Sequence, residues 1–210
     1  MASVALTPTE IVNRLAQLRF DNVFNPYADI CAAYDREDAA EIRRMNLLLT
    51  LEAASRGTAE LWLALEPGHR GARRTGLAMT DDQRLQTHAD RWGIHGIRHA
   101  TQSGPQSEAT AGIVWSAVDL KDVPIFLWNA FPLHSHDAEN TLSNRRHTRA
   151  ERLACDDVTI AIFELLKPDR VFAIGAEAHG ATRELGIDAV RVRHPSFGGK
   201  SDFLKGMGVT

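Results

Sequence analysis

Four short apolar runs in this chain each stop at a polar or turn-forming residue. Leu61-Trp62-Leu63-Ala64-Leu65 stops at Glu66-Pro67-Gly68, Ile125-Phe126-Leu127-Trp128 at Asn129, and Val171-Phe172-Ala173-Ile174 at Gly175. The fourth, Val190-Arg191-Val192-Arg193, alternates and ends in His194-Pro195-Ser196. Near-continuous apolar runs of this length suit strands buried on both faces, as in parallel sheets. Parallel neighbours need crossovers, usually helices, and helical patterns lie between the runs. The expectation is an α/β fold: three αβα layers with a central, mostly parallel four-stranded sheet. Open sheets of this kind bind ligands outside the carboxyl ends of their strands. There Glu66, Asn129 and His194 converge, placing a carboxylate, an amide and an imidazole at one edge.

The rest of the chain reads as connections. Thr7-Pro8-Thr9-Glu10 opens a helix with a cap and an early proline. Residues 35–54 have helical periodicity, with Ile42, Met45, Leu48, Leu49 and Ala53 on one face. Thr80-Asp81-Asp82-Gln83 reads as a cap, residues 93–106 as loop and 107–120 as helix. A helix over 149–166 stops before Pro168. A short helix at 176–184 and a last helix complete the chain. Residues 129–148 read as a long loop, and such loops in compact domains are usually functional or mobile. With no repeat or linker, the expectation is one domain over 1–210.

Composition narrows the function classes. The chain has 210 residues and is 44% hydrophobic, ordinary for a globular protein. No apolar run approaches the ~20 residues of a membrane helix. Residues 1–8 lack a basic segment followed by a long apolar stretch, so no signal peptide is expected. Cys31 and Cys155 are too few for a disulfide framework. The expectations are reduced cysteines, a cytoplasmic location and a monomer. His134-Ser135-His136-Asp137 lacks a third partner at metal-ligand spacing and reads as solvated loop. Trp62, Trp92, Trp115 and Trp128 read mostly as core.

A net charge of −3 argues against a generally basic nucleic-acid binder, but the cations are grouped. Arg70, Arg73 and Arg74 lie in 68–76, Arg145, Arg146 and Arg149 in 142–150, and Arg191, Arg193 and Lys200 in 189–200, with no acid in any segment. Each segment alone reads as solvated loop charge. Together, at one sheet edge, they read as a phosphate-binding rim.

Singly, the edge residues have plain readings. Glu66 can cap a turn or pair with Arg70, Asn129 can satisfy its own backbone, and His194 can be structural. Their order, however, resembles the uracil-DNA glycosylase superfamily. That family carries a first motif such as Gly-x-(Asp/Asn)-Pro-(Tyr/Gly) or Gly-Glu-Ala-Pro-Gly, an asparagine ending a middle strand, and a final His-Pro-(Ser/Ala) loop. This chain reads Ala64-Leu65-Glu66-Pro67-Gly68, Trp128-Asn129 and His194-Pro195-Ser196. The resemblance spans roughly residues 60–205.

The resemblance implies excision of uracil from DNA, leaving an abasic site. Cleaving a bond to a nucleobase builds positive charge on the sugar and negative charge on the base. Glu66 would orient the attacking water and face the sugar cation. A neutral His194 would donate to the uracil oxygen as it becomes anionic. Asn129 would pair with the base edge, donating to an oxygen and accepting from the ring N–H. Pro67, Gly68 and Met79 would complete the pocket, Met79 replacing the family's stacking phenylalanine after Thr75-Gly76. Arg70, Arg73, Arg74, Arg145, Arg146, Ser196 and Lys200 would contact DNA, and Phe197 or Gly198-Gly199 would sit at the duplex-wedging loop. The target base would leave the stack.

The departures are specific. Ala64 replaces a glycine, and Glu66 is one methylene longer than the family's aspartate. Gly68 stands where one branch has a tyrosine that excludes the thymine methyl group, so thymine must be rejected by other means. An iron–sulfur branch needs four cysteines, so no cofactor or metal is expected. Arg145-Arg146-His147 is similar to a basic loop whose histidine traps the sugar covalently in one branch; phosphate contacts are the plainer reading. A uracil-DNA binder of the same superfamily with weak or no turnover is the alternative function. A small-molecule hydrolase or nucleotidase lacks a supporting nucleophile elbow or phosphate-binding glycine motif.

Overall fold

The computed structural model describes residues 6–209. Residues 1–5, part of the leader-peptide reading, lie outside the described residues, as does residue 210. Nine α-helices, one short 3-10 helix (Asp82–Arg84) and six strands follow one another among the described residues. They are α1 (Pro8–Gln17), β1 (Val23–Phe24), α2 (Ala39–Ala54), β2 (Glu60–Ala64), α3 (Ala72–Thr75), α4 (Leu85–Trp92), α5 (Ala109–Val118) and β3 (Ile125–Asn129). Then come β4 (His134–Ser135), α6 (Arg149–Leu153), α7 (Asp156–Leu166), β5 (Arg170–Ile174), α8 (Ala176–Glu184), β6 (Val190–Val192) and α9 (Lys200–Gly206).

Strands β3, β2, β5 and β6 form one parallel sheet in that order. Every residue of β2 and β3 is buried, which is why these strands are apolar without a break. Alternate side chains serve opposite faces. Leu61, Leu63, Phe126, Trp128, Val171 and Ala173 pack with α1, α2, α7 and α8. Trp62, Ala64, Leu127, Phe172, Ile174 and Val192 pack with α5 and α9. The layers are therefore helix, sheet, helix. The chain adds β3 on one side of β2, then returns to add β5 and β6 on the other. The crevice of such a sheet lies where the order reverses, here between β2 and β5.

Local chemistry sets several boundaries. Thr7 and Glu10 form a capping box at α1, with Pro8 in the first turn. Asp81 accepts from the Arg84 backbone N–H, as its cap reading requires. α7 ends at Leu166, and Lys167 turns left-handed at φ 44° just before Pro168.

Four sequence expectations are corrected. The buried face of α2 carries Arg43, Asn46, Leu47, Thr50 and Leu51, while Met45 is exposed. Polar residues take that face because they tie in loops: Arg43 pairs with Asp35 and donates to the Arg74, Pro26 and Asp29 carbonyls. The helix expected over 149–166 is two, α6 and α7, broken at Ala154-Cys155. The 129–148 segment is not loop throughout, since β4 pairs antiparallel with β1. His134 is not solvated. It is buried, its Nδ1 accepts from Arg73 at 2.8 Å, and its Nε2–H donates to Asn144 Oδ1 at 3.0 Å. Burial, with Arg73 beside it, pushes His134 down to about 3, so it stays neutral. Cys155 is buried and Cys31 partly so, both free.

Candidate active site

A cavity of about 630 Å³ opens at the carboxyl edge of the sheet, across the β2–β5 crevice. Glu66 and Pro67, just beyond β2, line it together with Asn129, the last residue of β3. His194, Ser196 and Phe197, in the turn after β6, line it from the far side. Met79 and Glu108 add another wall. In-register pairing of Ala64 with Asn129 and of Ile174 with Val192 brings these ends level.

Asn129 is 1% exposed, and its Oδ1 has no hydrogen-bond partner among the described residues. An unsatisfied buried acceptor costs about 1–3 kcal/mol, so this one calls for a ligand that donates. His194 is set up as the opposite. The Ser196 backbone N–H donates to its Nδ1 at 3.2 Å, and Ser196 Oγ lies 2.5 Å from the same atom. A backbone N–H can only donate, so Nδ1 accepts and the neutral ring carries its proton on Nε2. Burial first, and Arg193 second, lower the pKa of His194 and keep the ring neutral. Its free Nε2–H is then a donor at the cavity wall. Gly175, at φ 96°, closes β5 against this ring: a Cβ there would lie 3.5 Å from His194 Cβ.

Glu66 is held at one oxygen. The His147 backbone N–H donates to Oε2 at 3.1 Å, and His147 Nδ1 lies 2.5 Å from the same atom. The His147 ring is fixed in turn by stacking on Phe131 at 5.0 Å. Oε1 makes no hydrogen bond among the described residues, so it is free to take a water. Phe197 is 97% exposed with φ 52°, a backbone state that costs an L-residue roughly 1–2 kcal/mol.

No protein-family model matches this sequence, and no curated protein matches it. Among solved structures, wild-type SMUG2 from Pedobacter heparinus superposes with a TM-score of 0.61 over 95% of this chain and 94% of that one, at 15% identity. The two chains therefore share one fold, a parallel four-stranded sheet between helical layers. Within it, the anticipated residues fall into two groups. Glu66, Pro67, Met79, Asn129, His194, Ser196 and Phe197 share the cavity. Gly68, Arg70, Arg73, Arg74, Arg145, Arg146 and Lys200 do not line it.

The arginine rim needs correction. Arg73 is 1% exposed and Arg74 is buried. Arg73 donates to Tyr34 Oη at 2.7 Å and to the Thr141 carbonyl, and lies 3.9 Å over the Phe24 ring. Arg74 pairs with Asp82 at 2.6 Å and donates to Ser103 Oγ at 2.8 Å. Neither is free for phosphate. Arg145 pairs with Glu151 at 2.9 Å, and solvent-facing Arg146 pairs with Glu177 at 2.6 Å. Arg70, Arg191, Arg193 and Lys200 are exposed with no ion pair among the described residues, and Arg191 and Arg193 line the cavity.

One contact and one residue at the site escaped the sequence reading, which named His147 only as a loop histidine similar to one that traps the sugar. The contact of His147 with Glu66 joins positions 81 apart in sequence, and no local pattern signals it. Glu108 sits at the N-terminal cap of α5, where a carboxylate reads as a helix-start residue. Among the described residues, no group of three His, Cys, Asp or Glu side chains is placed to hold a metal. No helix there is long and apolar enough to cross a membrane.

Proposed function

We propose that this cavity excises uracil from DNA by hydrolysing the N-glycosidic bond and leaving an abasic site. One observation carries the reading: Asn129, whose buried Oδ1 has no hydrogen-bond partner among the described residues, lines the same cavity as a neutral His194 whose Nδ1 is held as an acceptor. Uracil offers the complement, a ring N–H for the acceptor and carbonyl oxygens for donors. Cytosine presents a lone pair at that ring nitrogen and an amine where uracil has an oxygen. It therefore meets acceptor with acceptor, and a site built to hydrogen-bond one group rejects the analogue lacking it.

The chemistry follows from the placement. As the bond from the sugar carbon to the base nitrogen breaks, its electron pair moves onto uracil and its carbonyl oxygens. His194 Nε2–H stabilises that charge where it develops. Glu66 Oε1 holds a water on the sugar, and Oε2 stays anchored by His147. The water oxygen bonds to the sugar carbon and its proton passes to the carboxylate. Met79, with its backbone carbonyl bonded to Trp115 Nε1 at 3.1 Å, is a fixed wall against the base plane.

DNA must reach this site with its base unstacked. Phe197, strained and fully exposed beside the cavity, suits an apolar wedge between base steps. Phe197→Ala should slow uracil release from duplex DNA about tenfold or more while leaving single strands nearly unaffected, because unstacking costs a few kcal/mol only in the duplex. Parallel rate measurements on the two substrates check this; an equal loss on both would remove Phe197 from the wedge role. Reversing Arg191 and Arg193 to glutamate should weaken binding to every DNA sequence alike. It should also reduce the slope of log affinity against log salt by up to about 2. An unchanged slope in a salt titration would place phosphate contacts elsewhere.

A second reading, retention of uracil-DNA with weak or no turnover, is favoured by the His147 contact, which occupies one oxygen of Glu66. Incubation with a labelled uracil oligonucleotide followed by alkali separates the two. Strand cleavage at uracil supports excision; a retained complex without cleavage supports the binder.

A further inference from the structure

Glu108 lines the cavity, yet its carboxyl makes no hydrogen bond among the described residues. It stands at the N-terminal cap of α5 without capping it; its own backbone N–H donates to Asp81 Oδ2 at 2.7 Å. The side chain instead lies over the loop that follows Glu66. A Cβ added at Gly68 would come 2.8 Å from Glu108 Oε1, and one at Gly71 would come 1.9 Å from Oε2. The carboxyl therefore fills space that a side chain at either position would need. Its place depends on two bare backbone positions rather than on a partner that binds it.

We propose that Glu108 is a specificity-determining residue of this cavity, whose carboxyl occupies the volume above Gly68 and Gly71 and closes the site to bases bulkier than uracil. The inference rests on the uracil reading above. A pyrimidine whose polar edge is taken by Asn129 and His194 has its C5–C6 edge left for the remaining wall. Ala72, Met79, Glu108 and Thr110 are among the residues that line the cavity and are candidates for that wall. The smallest bulkier base is thymine, which adds one methyl group at C5. Glycine at position 68 adds no side chain there, and Glu108, whose carboxyl takes that space while the residue lines the cavity, is placed to meet the methyl.

The charge state is compatible with an apolar edge. Burial first, and the Asp81 carboxylate second, raise Glu108 to about 7. Asp81 is itself paired with Arg84 at 2.6 Å, so no cation is left over for Glu108 from that side. Around neutral pH a large fraction of Glu108 is a neutral acid, without the desolvation cost of burying a carboxylate against a base.

The test is equilibrium binding of the full chain to duplexes carrying a single 2′-fluoro-2′-deoxyuridine, which resists cleavage, or its 5-methyl counterpart. Parent, Glu108→Ala and Glu108→Gln are compared, with thermal melts to confirm folding. The parent should bind the uracil analogue better than the 5-methyl one. One methyl group in a fitted pocket changes affinity roughly 10- to 100-fold, and Glu108→Ala should recover most of that for the 5-methyl duplex while leaving the uracil duplex within a few fold. Glu108→Gln, of equal size, should discriminate as the parent does. Full discrimination in Glu108→Ala, or its loss in Glu108→Gln, would overturn the filter while leaving the uracil reading standing. A parent that binds the uracil analogue no better than undamaged DNA would instead overturn the uracil reading, and the filter with it.

Discussion

Replacing His194 with alanine should slow uracil release roughly 100- to 1000-fold, the usual loss for one hydrogen bond made to charge that develops in the transition state. Folding and DNA affinity should change little. The side chain is partly buried and bonds only Ser196, so its removal orphans no distant group. The tautomer makes the expectation sharp. With Nδ1 accepting from the Ser196 N–H, Nε2 can only donate while the ring is neutral, and the leaving uracil anion needs a donor. Single-turnover release from a labelled oligonucleotide reads the effect, with a melt alongside. A variant that cleaves like the parent would place the leaving-group donor elsewhere.

The largest stability effect should come from Arg73. Arg73→Ala removes a buried guanidinium that joins α3 to β1, β4 and the segment around Thr141. Tyr34 Oη, His134 Nδ1 and the Thr141 carbonyl would lose their donor together. Leaving a buried polar group without its partner costs about 1–3 kcal/mol, and with three such groups orphaned urea unfolding of the variant should show a loss of at least that order. DNA affinity, measured where the variant remains folded, should fall far less than with Arg191 and Arg193 reversed. A variant as stable as the parent that simply loses DNA affinity would return Arg73 to the phosphate rim.

The contrast between these arginines shows what the sequence makes legible. β2, β3 and most of β5 are readable because burial on both faces demands unbroken apolar runs, and β6 because it alternates before a proline turn; the strand ends give Glu66, Asn129 and His194 directly. Charge counting cannot tell Arg73 from Arg193. One is balanced by a tyrosine, a histidine and a carbonyl drawn from other parts of the chain, the other by solvent. Arg43, Asn46 and Thr50 hide the true buried face of α2 because they are polar residues, the first two bonding backbone carbonyls of other segments and Thr50 bonding His88 of α4. β1 and β4 have two residues each, too few for any periodicity. Glu108 leaves no trace because its neighbours, Gly68 and Gly71, have no side chains to form a recognisable pair.

The central claim is that Asn129 reads uracil in the cavity at the sheet edge. Its most direct test is single-turnover base release from two oligonucleotides that differ only in carrying one uracil or one cytosine, using the parent and Asn129→Asp. The account predicts that the parent releases uracil and leaves cytosine intact, and that Asn129→Asp loses most uracil release. Undiminished uracil release by Asn129→Asp, or release of cytosine by the parent at a comparable rate, would contradict it.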